Sequence, residues 1–423
     1  MPASSRDDAH SHGRDPGAPP PGPEVLLRRR RAVWLMLLVL VPAGLVTLVG
    51  LVVLWPGDEP TRASQAVEQF LPAGTSYPEG RVAGVEPPPC PAGEFCPTSA
   101  VVEVLDGEGA GEYVQIEVPP EVVGAGLAVD DVLVLTRDPG AQGGPAYAFF
   151  DYERDLPILA LALGFAVAVG VVARLRGLAS LLGLGFAFLV LLQFVLPGLL
   201  SDASPTLVTL VGSSAIMFVV LYLAHGFSAR TTTALLGTLF GLTLVAVLGS
   251  VAVAVARLTG LTSEGTVTLS RYDPTLDFSG LVLAGVVVAG LGVLNDVTIT
   301  QASAMWQLRE VSPEMPWRQL YRRGMVIGRD HIASTVYTLV FAYAGAALPL
   351  LLLFDLYPQP WTVTLTSSAM AEEVIRTLVG SIALVLAVPV TTVVGAFFAT
   401  AADTAAGAAP ERRITTLRAR FAR

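Results

Sequence analysis

The feature that most constrains this chain is a series of apolar runs too long for a soluble core. The first, Val33 to Trp55, holds 23 residues and no charged side chain. A helix rises about 1.5 Å per residue, so such a run crosses a hydrocarbon layer of ~30 Å. Further runs of similar length are Leu156–Ala173, Leu178–Leu200, Leu207–Phe227, Ala234–Ala256, Leu281–Thr300, Thr335–Phe354 and Thr377–Ala399. Backbone in lipid must satisfy its own hydrogen bonds, which makes each run a helix. Composition agrees: 53% of residues are hydrophobic and 14% charged, against roughly 25% charged in soluble domains. The fold class that follows is a polytopic α-helical membrane protein with about eight transmembrane helices. The net charge of −9 and the lack of a basic, aromatic-rich tract argue against nucleic acid as a partner.

Residues 1–32 are polar, rich in Pro and Gly, and read as a disordered cytoplasmic segment. Arg28 to Arg31 then lead into Val33–Trp55. That run is longer than a signal-peptide core and ends at Pro56-Gly57-Asp58 without a small-residue cleavage pattern, so a retained anchor (33–55) is expected. All 26 basic residues are Arg, a usage in the style of a high-GC bacterium. With the N-terminus inside, 19 arginines fall in cytoplasmic segments and 7 in outer ones, the asymmetry expected of a plasma-membrane protein. Both termini are then cytoplasmic, with a seven-helix domain at 156–399 and a basic tail at 400–423. Pro389 is a point for a kink in the last span.

Residues 56–155, between the first two spans, are too polar to enter lipid and form an expected extracytoplasmic β-rich domain. Alternating runs bounded by turn residues predict strands at Gly80–Val85, Ala100–Leu105, Tyr113–Val118, Asp131–Thr136 and Ala146–Asp151. A five-stranded, OB-like barrel suits that count. The two cysteines, Cys90 and Cys96, stand six positions apart in this segment. In an oxidising compartment a local disulfide is the leading reading; a metal site would need further soft ligands, and the domain has no His. No metal or other cofactor is expected.

Ionisable groups inside a bilayer are costly and mark functional positions. Most of the spans have none; Leu281–Thr300 carries Asp296, preceded by Asn295. Steps of four and three from Gly285 reach Ala289, Gly292, Asp296, Thr300, Ser303 and Gln307, all on one helical face. The small outer half of that stripe lets another helix approach, and the face is expected to point into the bundle. Counted from Ser279, Asp296 lies ~25 Å along the helix, in its inner half. Asp296 either has a structural role, pairing with an arginine or capping a broken helix near the cytoplasmic surface, or binds a cation or proton on a translocation path.

The segment Trp317 to His331 is rich in charge. It reads as a positive interfacial helix with Trp317 and Tyr321 as belt residues, or as a source of ion-pair partners for Asp296: Arg323, Arg329 and Asp330. His225 is expected to be an interfacial polar residue. Gly237-x-x-x-Gly241, Gly285, Gly290 and Gly292 are helix-packing positions.

Four pieces in order carry a resemblance: Asp151-Tyr152-Glu153-Arg154, His225-Gly226-Phe227, Gly290-x-Gly292-x-x-x-Asp296, and Arg323-Gly324-Met325-x-Ile327-Gly328-Arg329-Asp330. In these the chain resembles the YibE/F-like family of multi-span bacterial membrane proteins, over roughly Gly80 to Ala399. Asn295 departs from the pattern, standing where an apolar residue such as Met is expected. The resemblance implies a permease-like architecture and no particular substrate.

Two functions from different classes follow. One is a permease, in the form of a proton-coupled exporter of a small solute or ion. The other is a non-transporting scaffold or envelope-assembly factor acting through the outer domain. The chain has no P-loop, H-E-x-x-H or G-x-S-x-G motif, so neither self-powered ATP use nor a known hydrolase chemistry is indicated. The expected partners are the lipid bilayer and the solute, with an extracytoplasmic protein and a second copy of the chain as further ones.

Overall fold

A computed structural model describes residues 23–57, 60–70, 73–86, 98–140, 146–357 and 359–403. The expected Cys90–Cys96 disulfide, most of the expected basic tail, and the N-terminal segment before residue 23 lie outside the described residues.

Along the chain, α1 (Pro23–Val53) and α2 (Arg62–Phe70) precede β1 (Glu79–Glu86), β2 (Thr98–Val104) and β3 (Tyr113–Val118). A short α3 (Pro120–Gly124) leads to β4 (Val132–Asp138) and β5 (Ala146–Tyr152). Every later element is helical. α4 (Asp155–Val190) continues through a π-helical stretch at Leu191–Val195 into α5 (Leu196–Leu199), followed by α6 (Pro205–His225) and α7 (Ala229–Ala256). Then come α8 (Glu264–Tyr272), α9 (Phe278–Val311), α10 (Trp317–Ala346), α11 (Leu348–Leu356), α12 (Trp361–Leu365) and α13 (Ser368–Asp403). Two compact units result: one drawn from Met1–Gly57, Ala179–Val267 and Leu276–Arg423, the other from Asp58–Leu178 and Thr268–Thr275.

Among the described residues, six helical stretches are long and apolar enough to cross a membrane: Val33–Val53, Asp155–Leu199, Pro205–His225, Ala229–Ala256, Phe278–Val311 and Ser368–Ala401. α10 and α11 add a seventh if taken as one span bent by 64°. Against the expected eight, the difference lies in how two breaks are counted. The expected separation of Leu156–Ala173 from Leu178–Leu200 coincides with a kink: within the 45-residue stretch two helices meet at Arg174, at φ 53° and ψ −134°. Gly177 fits the break because a Cβ there would press on the Val169 carbonyl. The run Thr335–Phe354 straddles a real discontinuity at Ala347. Pro349, in the first turn of α11, cannot donate an i−4 hydrogen bond and its ring would clash with the preceding turn. The final helix starts earlier than its apolar run, at Ser368, and passes through Pro389 as one element.

In the first unit α7, α9 and α13 pack most extensively on one another, with α10 on α13 and α6 on α9. The α7–α9 pair shows how sequence produces this. Gly237 lies against Thr298, Gly241 against Leu294, Val245 against Gly290, and Gly249 against Leu283 and Val286. Each step of four along α7 meets a step of four back along α9, glycine facing a larger side chain. In lipid, close van der Waals packing of this kind replaces the hydrophobic effect as the main attraction between helices. Local signals set the helix ends. Gly226 stops α6 at φ 75°, and the Ser228 hydroxyl caps α7 by accepting from the Thr231 N–H. Asp277 caps α9 through the Gly280 N–H.

The second unit carries one antiparallel sheet in the order β3-β2-β1-β4-β5. β3 and β5, the two edges, also approach each other within 8 Å between Cα atoms. The sheet thus curls toward a partly open five-stranded barrel. Bulges between Val82 and Gly84 and between Val134 and Leu135 supply bends. Alternation puts Val82, Ala100, Val102, Val104, Ile116, Val118, Leu133 and Leu135 inside. Gly80 must be glycine, since a Cβ would collide with Val102 and Leu135. At the end of β5, Arg154 pairs with Asp151 at 2.8 Å and lies 5.8 Å from the Tyr152 ring centre. The Arg154 hydrogen bond holds the Asp151 carboxyl below its usual range.

Candidate functional site: a polar layer at the centre of the bundle

Polar side chains from three helices and a backbone carbonyl from a fourth meet inside the first unit. The Thr238 and Thr298 hydroxyls are 2.6 Å apart, linking α7 to α9. Gln301, one turn further along α9, donates from Nε2 to the Gly324 carbonyl of α10 at 3.0 Å and to Thr392 Oγ1 of α13 at 2.8 Å. Thr391 lies beside Gly237, and its hydroxyl donates to the Ala387 carbonyl. Thr238, Thr298, Thr391 and Thr392 are fully buried, and Gln301 is 1% exposed. The glycines explain how so much polarity fits. Gly324 and Gly328 leave room for Met305, Val388 and the Gln301 amide, where any Cβ would intrude. Buried amides and hydroxyls are tolerated at this density because they bond one another or a helix carbonyl four residues back.

The register of α7 against α9 sets the depth of Asp296. Thr298 faces Gly237, so Asp296 stands level with Leu239, about 5 Å along the axis from the midpoint of α7. Counting from the start of α9 placed it nearer one end, because α9 runs to Val311, beyond the length a bilayer needs. The direction of the side chain also differs from the expectation. α9 buries Val282, Val286, Gly290, Leu294, Val297 and Gln301, and leaves Gly292, Asp296 and Thr300 exposed, with Gly285 and Ser303 half-buried. In the single chain the stripe from Gly285 to Gln307 therefore looks away from the bundle. Gly292 has open space around it, whereas Gly290 packs on Val245.

Among the described residues the expected ion-pair network does not form. Arg323, Arg329 and Asp330 are exposed on α10, and among the described residues no ion pair joins them to Asp296. Two buried atoms nearby lack hydrogen-bond partners, Asn295 Oδ1 and His331 Nε2. The Gln301 amide lies between Gly324 and Gly328, so His331 comes level with Asp296 in this antiparallel pair.

A second charged group precedes the last apolar run and so has no membrane signal in the sequence. Glu372, Glu373 and Arg376 belong to the first turns of α13. Arg376 pairs with Glu373 at 2.8 Å and extends Nη2 toward Gly285 of α9. Glu372, 7% exposed, accepts from the Thr262 hydroxyl on one oxygen while the other is buried without a partner. Next to this group, at the α10–α11 bend, is a largely apolar cavity of about 210 Å³ whose wall includes Tyr343, Glu373 and Thr377.

The remaining motifs have structural explanations. Gly226 in His225-Gly226-Phe227 supplies the left-handed turn, while Phe227 stacks on Tyr222 with centroids 4.6 Å apart. The Tyr222 hydroxyl reaches Thr232 at 2.9 Å and ties the α6–α7 turn together. Among the described residues no cluster of His, Cys, Asp and Glu suits a metal ion. The threonines of the central layer had no individual sequence signal; Gln301 did, as an amide next to an apolar run.

No curated protein and no solved structure matches the chain. A family model described as YibE/F-like protein matches residues 161–401, which takes in all four helices of the polar layer. The sheet, and with it Asp151-Tyr152-Glu153-Arg154, precedes that stretch, so the likeness begins later than the Gly80 expected from the motifs. The matched stretch makes up more than half of the sequence, and the chain belongs to the YibE/F-like family.

Proposed function

We propose that this chain is a multi-pass permease of a bacterial plasma membrane that moves a small solute or ion past the exposed face of α9. The observation that carries the reading is Asp296, a carboxylate at mid-depth on the exposed face of α9, the helix whose other face holds the buried layer of Thr238, Thr298, Gln301 and Thr392. Charge at that depth is expensive and persists where it has a task. The arginine distribution supports cytoplasmic termini and a sheet unit on the outer side. Asp296 then serves as the group that binds the cation or exchanges the proton, and the hydroxyl and amide layer holds in place the helix that carries it. The exposed Tyr77–Phe150 pair, edge-to-face at 5.1 Å on the sheet unit, favours a second reading, in which that unit docks a protein in the envelope.

The test is the ion and metabolite content of cells lacking the protein, complemented with wild type or Asp296→Asn at matched membrane levels. The permease reading expects one solute class to change on deletion, recover with wild type, and stay changed with Asp296→Asn. Equal recovery with both versions removes Asp296 from the path. An unchanged profile on deletion rejects transport and leaves the docking reading.

A further inference from the structure

We propose that the exposed face of α9 is the contact surface for a second copy of this chain, with Asp296 paired to the partner subunit's Arg329. The reasoning starts from three ionisable side chains, Asp296, Arg329 and Asp330, all exposed on the single chain. Gln301 sits between Gly324 and Gly328, which puts Arg329 within about 3 Å of the depth of Asp296. Both lie well inside the length of α7, where lipid is the alternative neighbour and a bare charge is strongly disfavoured. Within the chain they make no ion pair with each other among the described residues.

The occupant follows from charge and symmetry. A two-fold axis along the membrane normal preserves depth, so only groups at matching depths meet across such an interface. Asp296 and Arg329 match in depth and oppose in sign, and a two-fold contact brings them together twice. The chain's own span from Leu156 to Ala173 has no charged residue and offers Asp296 nothing to pair with. The rest of the face suits a helix: Gly285, Ala289 and Gly292 are small, and Gly292 has no neighbour within 4 Å. Close helix approach through small residues is the usual geometry of association in lipid. The expected inward orientation of the polar stripe is thereby met by the assembly rather than by one chain, and the polar track next to α9 is completed by the second copy.

The experiment uses the full chain in native membranes, with Cys90→Ser and Cys96→Ser as background and a short bis-maleimide as cross-linker. Ala289→Cys and Gly292→Cys should each give a product of doubled mass; Val247→Cys, 56% exposed on α7, should not. The charge pairing is read by adding Asp296→Arg or Arg329→Asp to the Ala289→Cys chain. Each change alone places like charges opposite one another and should cut the doubled product about tenfold. Co-expression of the two variants with different tags should restore it as a mixed product, because each then supplies what the other lacks. Only single-mass product at positions 289 and 292, or equal cross-linking at 247, overturns the interface. Loss of the mixed product, or full cross-linking by either variant alone, overturns the pairing. Cross-linking reads assembly and the solute profile reads transport, so either proposal fails without the other.

Discussion

Gly237→Ala should weaken the bundle, while Gly292→Ala should leave it unchanged or slightly firmer. By sequence the two positions are equivalent, both small residues in apolar helices. In the structure a Cβ on Gly237 would fall on Thr391 Oγ1, 3.1 Å from Thr391 Cβ and 3.2 Å from Thr298 Cγ2. Thr391 has little freedom to move: it is fully buried, β-branched, and bonded to the Ala387 carbonyl at 2.8 Å. Thr298 is held by its 2.6 Å contact with Thr238. The helices must then separate, and overpacking of this kind costs about 1–3 kcal/mol. Alanine recovers up to about 1 kcal/mol in helix propensity, for a net loss of about 1 kcal/mol. At Gly292 nothing lies within 4 Å, so only the propensity gain remains. The two variants should differ by about 2 kcal/mol, roughly thirtyfold in the unfolding equilibrium. Unfolding of dispersed single copies in mixed micelles with rising SDS, followed by tryptophan fluorescence, measures this. Equal midpoints for the two variants would refute the packing argument.

Gln301→Leu removes both hydrogen bonds from α9 to α10 and α13 and should cost about 1–2 kcal/mol. A double-mutant cycle with Thr392→Val should show non-additive coupling, and simple additivity would mean the 2.8 Å bond contributes nothing. In the sheet unit, Asp151 has its carboxyl lowered by Arg154. A lowered folded value stabilises above the ordinary aspartate range and is lost as pH falls through it. Thermal melts of the full chain should therefore show a Asp151-dependent loss only below about pH 4, and Asp151→Asn should remove that part of the acid sensitivity. An identical pH profile for both proteins would dismiss the pair.

What the sequence disclosed divides along physical lines. Strands half-buried in a small barrel must alternate, and the five alternating runs lie within a few residues of β1 to β5. Helices in lipid must be apolar, and the long runs all became helices. Breaks were unevenly legible, since they depend on single backbone states. The one at Arg174, a positive-φ residue, falls where Arg174 and Arg176 interrupt the apolar runs and is visible in the sequence. The break at Ala347 was signalled by Pro349, yet it falls inside a run whose hydropathy alone reads as one span.

The site shows the same division more sharply. Periodicity places Gly285, Gly292, Asp296 and Thr300 on one face, and they share it in the structure. What a face looks at is a property of tertiary packing, and there the cost argument misled: an expensive carboxylate was assigned to the interior of its own chain. The interior face of α9 was already taken, because Val286, Gly290, Leu294 and Thr298 follow the four-residue steps of α7. A helix of this width cannot give both faces to the same neighbours. The penalty for exposing Asp296 to lipid does not disappear on that account; it is transferred to whatever covers the opposite face. Cost alone therefore says that Asp296 is covered, and only depth, sign and symmetry say by what.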